Sequence, residues 1–344
     1  MSSAGDSVSS VPDTGVAQHA ASITTPAWLG GGALVQAHEK ELSARKWVES
    51  HAAWLTGTLK TRGAILLRGF GTLSVDDFEG IATTAGCGER PQPYENRSTP
   101  RQNIKGNIFT STEYPAPEAI TLHNENSYSA EWPGVILFLC QQPALTGGET
   151  PIADSRQVYS SIPVATRSLF ESKGVTYVRN YGKLGLSWEE TFQTTSQEEV
   201  ERYCARQRIE WKWREGGGLQ TRQTLPAVRK HPLTGESVWF NQAHLFHVSN
   251  LGSKGSFLLK SLGSDGVPRN ALFGDGSEIP ASLLQEIRAI YDTHAVPLDW
   301  RANDLAILDN MLWAHGRRPF SGTRRVIVAM TKMIRGQAAT DAGA

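Results

Sequence analysis

His123 and Glu125 stand two residues apart in Thr121-Leu122-His123-Asn124-Glu125-Asn126-Ser127-Tyr128. On an extended backbone residues i and i+2 point to the same face, so an imidazole nitrogen and a carboxylate are offered together to a cation. The triplet His-x-Glu is common, and its plain alternative is a satisfied polar pair. Its weight comes from a second segment far downstream, Asp309-Asn310-Met311-Leu312-Trp313-Ala314-His315-Gly316-Arg317-Arg318, followed by Gly322-Thr323-Arg324-Arg325 and an apolar run over residues 326–330. His315 would complete a two-histidine, one-carboxylate facial triad, which leaves three cis positions open on iron(II). An arginine just beyond it carries a donor fork that can hold a terminal carboxylate through two hydrogen bonds.

These segments occur in order with Leu66-Leu67-Arg68-Gly69-Phe70, Thr110-Ser111-Thr112-Glu113-Tyr114-Pro115, Gly147-Gly148-Glu149-Thr150, His231-Pro232-Leu233-Thr234-Gly235, Trp239-Phe240-Asn241-Gln242 and Phe273-Gly274-Asp275-Gly276. The series resembles the iron(II)/2-oxoglutarate-dependent oxygenases of the taurine dioxygenase-like family. Within it the resemblance is strongest to the syringomycin-biosynthesis-type hydroxylases and more distant to clavaminate synthase. It covers nearly the whole chain after about residue 60 and implies a double-stranded β-helix, or jelly roll.

The resemblance also assigns residues. His123, Glu125 and His315 match the iron ligands, and Thr150 matches the threonine that bonds the far carboxylate of 2-oxoglutarate. Arg325 matches the arginine on the same carboxylate, with Arg324 as its substitute. Period-2 alternation groups Arg325 with Ile327 and Ala329 and turns Arg324 away, which favours Arg325. The implied reaction decarboxylates 2-oxoglutarate to succinate with O2 and hydroxylates an unactivated carbon of an amino-acid-like substrate in specialised metabolism; the alternatives are desaturation or ring closure by the same oxidant, or a non-catalytic jelly-roll binding protein. The substrate is either free or tethered to a carrier protein. Halogenating relatives replace the ligating carboxylate with a small residue, so Glu125 argues against halogenation. Taurine-type members carry a second arginine four residues beyond the first, where this chain has Ala329, which argues against taurine. Candidate substrate contacts are Asn124, Asn126, Ser127, Asn241 and Arg317, with Tyr94 and Arg101 in a polar loop suited to a lid. His244 and His247 lack the adjacent glutamate of a zinc-hydrolase helix.

The elements that must position these residues read as a mainly β core with peripheral helices. Residues 64–68 form a compact apolar run bounded by glycines, as a buried strand does. Residues 135–139, 176–178, 238–240, 305–308 and 325–330 are also strand-like. Helical spacing marks residues 35–59, 76–84, 196–207 and 281–293. The polar and aromatic stretch 183–230 is the expected insertion near the site. Within it, Trp211 and Trp213 among basic and acidic neighbours read as a solvated loop. The expected organisation is a disordered leader over residues 1–26, one oxygenase domain over 27–336 and a flexible tail over 337–344.

Composition bounds the class. The 344 residues include 39% hydrophobic ones, 33 Gly and 17 Pro, and 34 Lys+Arg balance 34 Asp+Glu. This length supports a sizeable core. Zero net charge gives no electrostatic footprint for nucleic acid or an anionic membrane, so a small-molecule partner is expected. Three scattered cysteines, with no Cys-x-x-Cys pair, fit a reducing cytoplasmic setting and no thiolate metal site.

Overall fold

The computed structural model describes residues 20–93, 101–112, 114–182 and 184–336; the side chains of Ser264 and Asp265 are not described. The first 19 residues of the expected leader, the tail, and Tyr94 lie outside these residues. The fold starts earlier than the composition suggests. Ala21–Thr24 is a strand that pairs antiparallel with Ala33–Ala37, so ordered chain precedes Trp28.

Two sheets face each other. The larger has eight strands in the spatial order Ala21–Thr24, Ala33–Ala37, Ala64–Arg68, Leu305–Asp309, Glu131–Gln142, Arg325–Arg335, Ile108–Thr110, Asn103–Lys105. The smaller has four: Val296–Leu298, Thr150–Asp154, Trp313–Arg317, Ile120–His123. The core between the sheets includes Leu66, Phe138, Ile152, Leu308, Trp313, Val326 and Val328. The opposite face of the large sheet sends Ile65, Leu67, Leu137, Leu139, Ile307, Ile327 and Ala329 against Trp47, Val48, Leu55, Phe78 and Ile81 of three helices. Both faces are therefore dry, which is why these strands read as continuous apolar runs rather than alternating ones. This is the jelly roll with peripheral helices that the sequence implies.

The helices lie over Ala44–Ser50, Ala52–Thr61 and Val75–Ala85. The helical reading of residues 35–59 therefore merges the end of the Ala33–Ala37 strand with two helices. The third starts where Ser74 accepts from the Asp77 amide and Asp77 reaches back to Ser74, a reciprocal capping box. No helix among the described residues is long and apolar enough to cross a membrane.

Residues 184–230 build more than a loop. Glu210–Trp213 and Leu219–Leu225 join Val175–Tyr181 and Arg269–Phe273 in a second four-stranded sheet. Tyr181, Trp188, Val200, Cys204, Ile209 and Leu219 close a small core of their own. Trp211 and Trp213 thus sit on a strand, and Trp213 packs edge-on against Trp188.

One buried ion pair ties the large sheet to the segment that runs from Val296–Leu298 of the small sheet into Leu305–Asp309 of the large one. Arg68 donates three hydrogen bonds of 2.7–3.1 Å to Asp304 and one of 2.7 Å to the Asp299 carbonyl. Asp304 is fully buried. Removing one charge strands the other in low dielectric, which costs roughly 3–5 kcal/mol. Asp304→Asn is expected to lower unfolding free energy by about 3 kcal/mol in a urea titration; a loss within the error of the measurement would show that the pair is dispensable.

Candidate active site

The small sheet places two histidines face to face. His123 ends the Ile120–His123 strand and is the direct cross-strand partner of His315 in Trp313–Arg317. Their ring centroids are 4.8 Å apart. The strands close this tightly because residue 316 is glycine: a Cβ there would come within 2.5 Å of the Ile120 carbonyl oxygen. Beyond His123 the chain leaves the strand, and Glu125 turns its carboxylate toward the pair. One donor atom from each of His123, Glu125 and His315 lies within 4.8 Å of the other two. Glu125 Oε2 is 3.9 Å from His315 Nε2.

The protonation pattern suits a cation. His123 Nδ1 lies 2.8 Å from the Thr121 carbonyl, which can only accept, so Nδ1 carries the proton and Nε2 keeps its lone pair. Burial pushes the His123 imidazole down to about 3, and His315 beside it adds to the shift, so the ring is neutral at physiological pH. Burial alone would raise Glu125, but the Arg101 guanidinium and the two imidazoles hold it below the usual carboxylate range. Among the described residues His315 Nδ1 is buried without a hydrogen-bond partner. Two imidazoles and one ionised carboxylate form a donor set of the kind that suits iron(II).

Asn310 fixes where Glu125 sits. Its Oδ1 accepts from the Glu125 amide at 2.7 Å, and its Nδ2 donates to the carbonyls of Glu125 at 2.9 Å and Pro133 at 2.8 Å. Asp309, next to it, accepts from the amides of Met311 and Leu312 and pairs with His231 at 3.0 Å. Asn310 lies in a segment whose sequence was informative, yet its type and spacing gave no hint of this clamp.

Two cavities meet at His123. The first is lined by His315, Phe138, Thr150, Arg317, Arg324 and Val326 among others. Thr150 Oγ1 accepts from Trp300 Nε1 at 2.9 Å and from Arg324 Nη2 at 3.3 Å. Arg324 Nε also donates to the Gly148 carbonyl at 2.9 Å. Burial lowers the Arg324 guanidinium to about 10, which leaves it cationic at neutral pH. Arg325 is exposed instead. Alternation held along this strand, but the face was misread: Ile327 and Ala329 point to the outer helices, whereas Val326 and Val328 point between the sheets. The pairing register also shifts between Arg325 and Val326.

The second cavity is lined by Arg101, Tyr114, His123, Glu125, Gln242, Leu245, Asn250 and Arg269 among others. Arg101 is no surface lid residue. It is buried, and its Nη2 donates to Glu125 Oε2 at 2.6 Å. The remaining substrate candidates are turned to structural work. Asn124 donates to Ser155 and to the Asn310 carbonyl, Ser127 Oγ donates to the Asn124 carbonyl, and Asn241 bridges Ala227 and Ala243. Asn126 adopts φ +56°, a left-handed conformation that asparagine tolerates, and lines a separate groove with Gln92 and Ser129. Arg317 lines the first cavity but turns Nη1 and Nη2 to the carbonyls of Tyr114, Pro115 and Glu118. Gln242, not Asn241, reaches the second cavity. No described residue of 184–230 lines either cavity, so that stretch is not the site insertion expected. His244 is buried and bonds the Leu122 carbonyl, while His247 pairs with Ser249, so the two do not converge as ligands.

Known proteins resemble this chain over most of its length. The family model for "Taurine catabolism dioxygenase TauD, TfdA family" matches residues 29–331. The dapdiamide synthesis protein DdaC of Enterobacter agglomerans is 40% identical over 299 residues, covering 86% of this chain and 90% of that protein. A clavaminate synthase-like protein of Arabidopsis thaliana is 30% identical over 298 residues, covering 83% and 86%. Among solved structures, PvcB, described as an Fe, alpha-ketoglutarate dependent oxygenase from an isonitrile synthetic pathway, superimposes with a TM-score of 0.56 at 15% identity, covering 96% of this chain and 99% of its own. A taurine dioxygenase from Burkholderia xenovorans gives 0.51 at 15% identity, covering 91% and 89%. These last two speak for the fold. The chain belongs to the TauD, TfdA family and is an iron(II)- and 2-oxoglutarate-dependent dioxygenase.

Proposed function

We propose that His123, Glu125 and His315 hold the iron, that Thr150 and Arg324 hold the far carboxylate of 2-oxoglutarate, and that an amino-acid-like substrate of specialised metabolism enters the second cavity and is hydroxylated. The observation that carries this reading is the meeting, at three converging donor atoms, of one cavity ending in a buried arginine and another open to a different ligand. The metabolic setting rests on the similarity to the dapdiamide synthesis protein. Free thiols at Cys87, Cys140 and Cys204 support a reducing cytoplasmic location.

When bound, iron(II) supplies the oxidising chemistry that couples O2 and 2-oxoglutarate decarboxylation to attack on a C–H bond. The chain's own residues bind and orient. Thr150 Oγ1 already accepts two hydrogen bonds, so its single proton is free to donate to a carboxylate oxygen. Arg324, anchored through Nε to Gly148, makes no ion pair among the described residues and so has charge and donors to offer the same group. Arg101 neutralises the buried Glu125 carboxylate. Phe138, its ring 5.0 Å from that of His315, keeps that side of the centre dry. The choice among hydroxylation, desaturation and cyclisation then turns on which substrate atom the second cavity holds nearest the donors.

Three outcomes follow. His123→Ala and His315→Ala are each expected to reduce 2-oxoglutarate-dependent succinate formation to background, and wild-type turnover in either would sink the triad. Arg324→Gln is expected to raise the KM for 2-oxoglutarate on the order of 100-fold, the effect of deleting a buried charge-assisted pair. Arg325→Gln should stay within about twofold of wild type, as an exposed side chain outside the cavity does; the reverse ranking would return the role to Arg325. Asn310→Ala is expected to cost roughly 3 kcal/mol of stability by orphaning buried backbone groups and to weaken iron(II) binding roughly 10- to 100-fold in a dialysis titration. Unchanged metal affinity in a folded Asn310 variant would remove its positioning role.

A further inference from the structure

The second cavity contains a cation, Arg269, with no ion-pair partner among the described residues. Arg269 opens the Arg269–Phe273 strand directly opposite Arg179 on Val175–Tyr181. Like charges directly opposite across an antiparallel pair oppose folding. Arg179 lies over the rings of Tyr128 and Tyr181. Arg269 lies over the Phe246 ring, 5.1 Å from its centroid. Among the described residues the Arg269 guanidinium takes part in no hydrogen bond or ion pair, and its five donors are left for whatever fills the cavity. The acid that shares the cavity wall, Glu125, is already held by Arg101 at 2.6 Å. Burial and the neighbouring Arg179 both lower the Arg269 guanidinium below its ordinary value, as expected of a cation short of counter-charge.

A half-dry guanidinium facing a second one, with no carboxylate on it among the described residues, is a destabilising arrangement for structure alone. It becomes favourable once an anion of matching geometry arrives, because a carboxylate takes two parallel hydrogen bonds from the fork. Resting on the reading of the adjacent centre as the iron site, we propose that Arg269 anchors a free carboxylate of the substrate, so that the enzyme acts on a carboxylate-bearing molecule that arrives unattached to any carrier. Arg324 and Arg269 then divide the two acids: the cosubstrate's carboxylate goes to the first cavity and the substrate's to the second, with His123 between them. Gln242 and Asn250 on the same wall offer neutral hydrogen-bonding groups to the rest of the substrate. An acyl group tethered as a thioester has no charge at that carbon and would leave Arg269 buried against Arg179 without compensation.

The test uses the full chain loaded with Mn(II) and N-oxalylglycine, which occupies the cosubstrate cavity. N-acetylglycine and its neutral twin N-acetylglycinamide are then titrated in, and broadening of their proton resonances by Mn(II) is read by NMR. Wild type is expected to broaden the carboxylate probe at concentrations at least about tenfold below those needed for the amide. Arg269→Gln is expected to abolish that preference and Arg269→Lys to restore part of it. Arg269→Gln should also melt no lower than wild type, since it removes a cross-strand repulsion; a purely structural arginine would lower the melting temperature when lost. Equal broadening by the two probes in wild type, or an unchanged preference in Arg269→Gln, overturns the anchor. Failure of N-oxalylglycine to bind wild type would instead count against the cosubstrate reading. In that event, calorimetry of the same two probes on metal-free Arg324→Gln protein, with and without Arg269→Gln, still decides the anchor by the same preference.

Discussion

The constraint on which the site depends is the register that sets His123 opposite His315. Two imidazoles at 4.8 Å can share a cation only if the strands beneath them neither slip nor spread. A slip of one residue would send one ring to the other face of the sheet. Gly316 permits the close approach, and Trp313–Arg317 is pinned on its other edge by Thr150–Asp154, the strand that begins with the threonine proposed to hold the cosubstrate. Glu125 lies beyond regular structure, where a loop would ordinarily wander. Asn310 replaces the missing ladder with three hydrogen bonds of its own. The third proposed ligand is thus as fixed as the other two, although no strand carries it.

The zero net charge hides an uneven interior. Arg68 is matched by Asp304, Arg101 by Glu125, and Arg317 by three carbonyls. Among the described residues Arg324 and Arg269 have no acid on them, and each lines a cavity that touches His123. Burying a cation without an anion works against folding, so these two positions give up stability for readiness to bind. The Trp300 indole, donating to Thr150, shows the same economy: it uses up the hydroxyl's acceptor side and leaves its proton available.

Much of this was legible from sequence, and the failures share a cause. The pair His123 and Glu125 was visible from residue type and spacing, although the extended backbone expected beneath Glu125 is a turn, and His315 was visible through the resemblance. The strands at 64–68, 305–308 and 325–330 were visible because both faces of their sheet are buried. That same double burial hid which face is the inside, and Arg325 was preferred over Arg324 for that reason. Asn124, Ser127 and Asn241 looked like pocket residues because short polar side chains beside a site are ambiguous until their partners are known. Each bonds to a group that folding brings alongside. Asn126 owes its identity to a positive φ, which no pattern of neighbours announces. Arg269 was invisible because its significance lies in what is absent around it, a property of the folded surroundings.

The corrected face also changes how anion recognition is understood. In taurine-type relatives a second arginine follows the cosubstrate arginine by four residues. Counted from Arg325 the equivalent is Ala329, which faces the outer helices and could not have reached the site. Counted from Arg324 it is Val328, which does face between the sheets but sits in a close-packed apolar cluster with Phe138 and Val326. A guanidinium there would have to displace that packing. The large sheet is therefore closed to a substrate anion on either count. A carboxylate must be met from the opposite wall, where the Arg269–Phe273 strand supplies a cation from a separate sheet. An anchor on that wall can vary in position without disturbing the ladder that holds the proposed metal donors, so on the proposed reading substrate choice and metal binding are carried by different sheets.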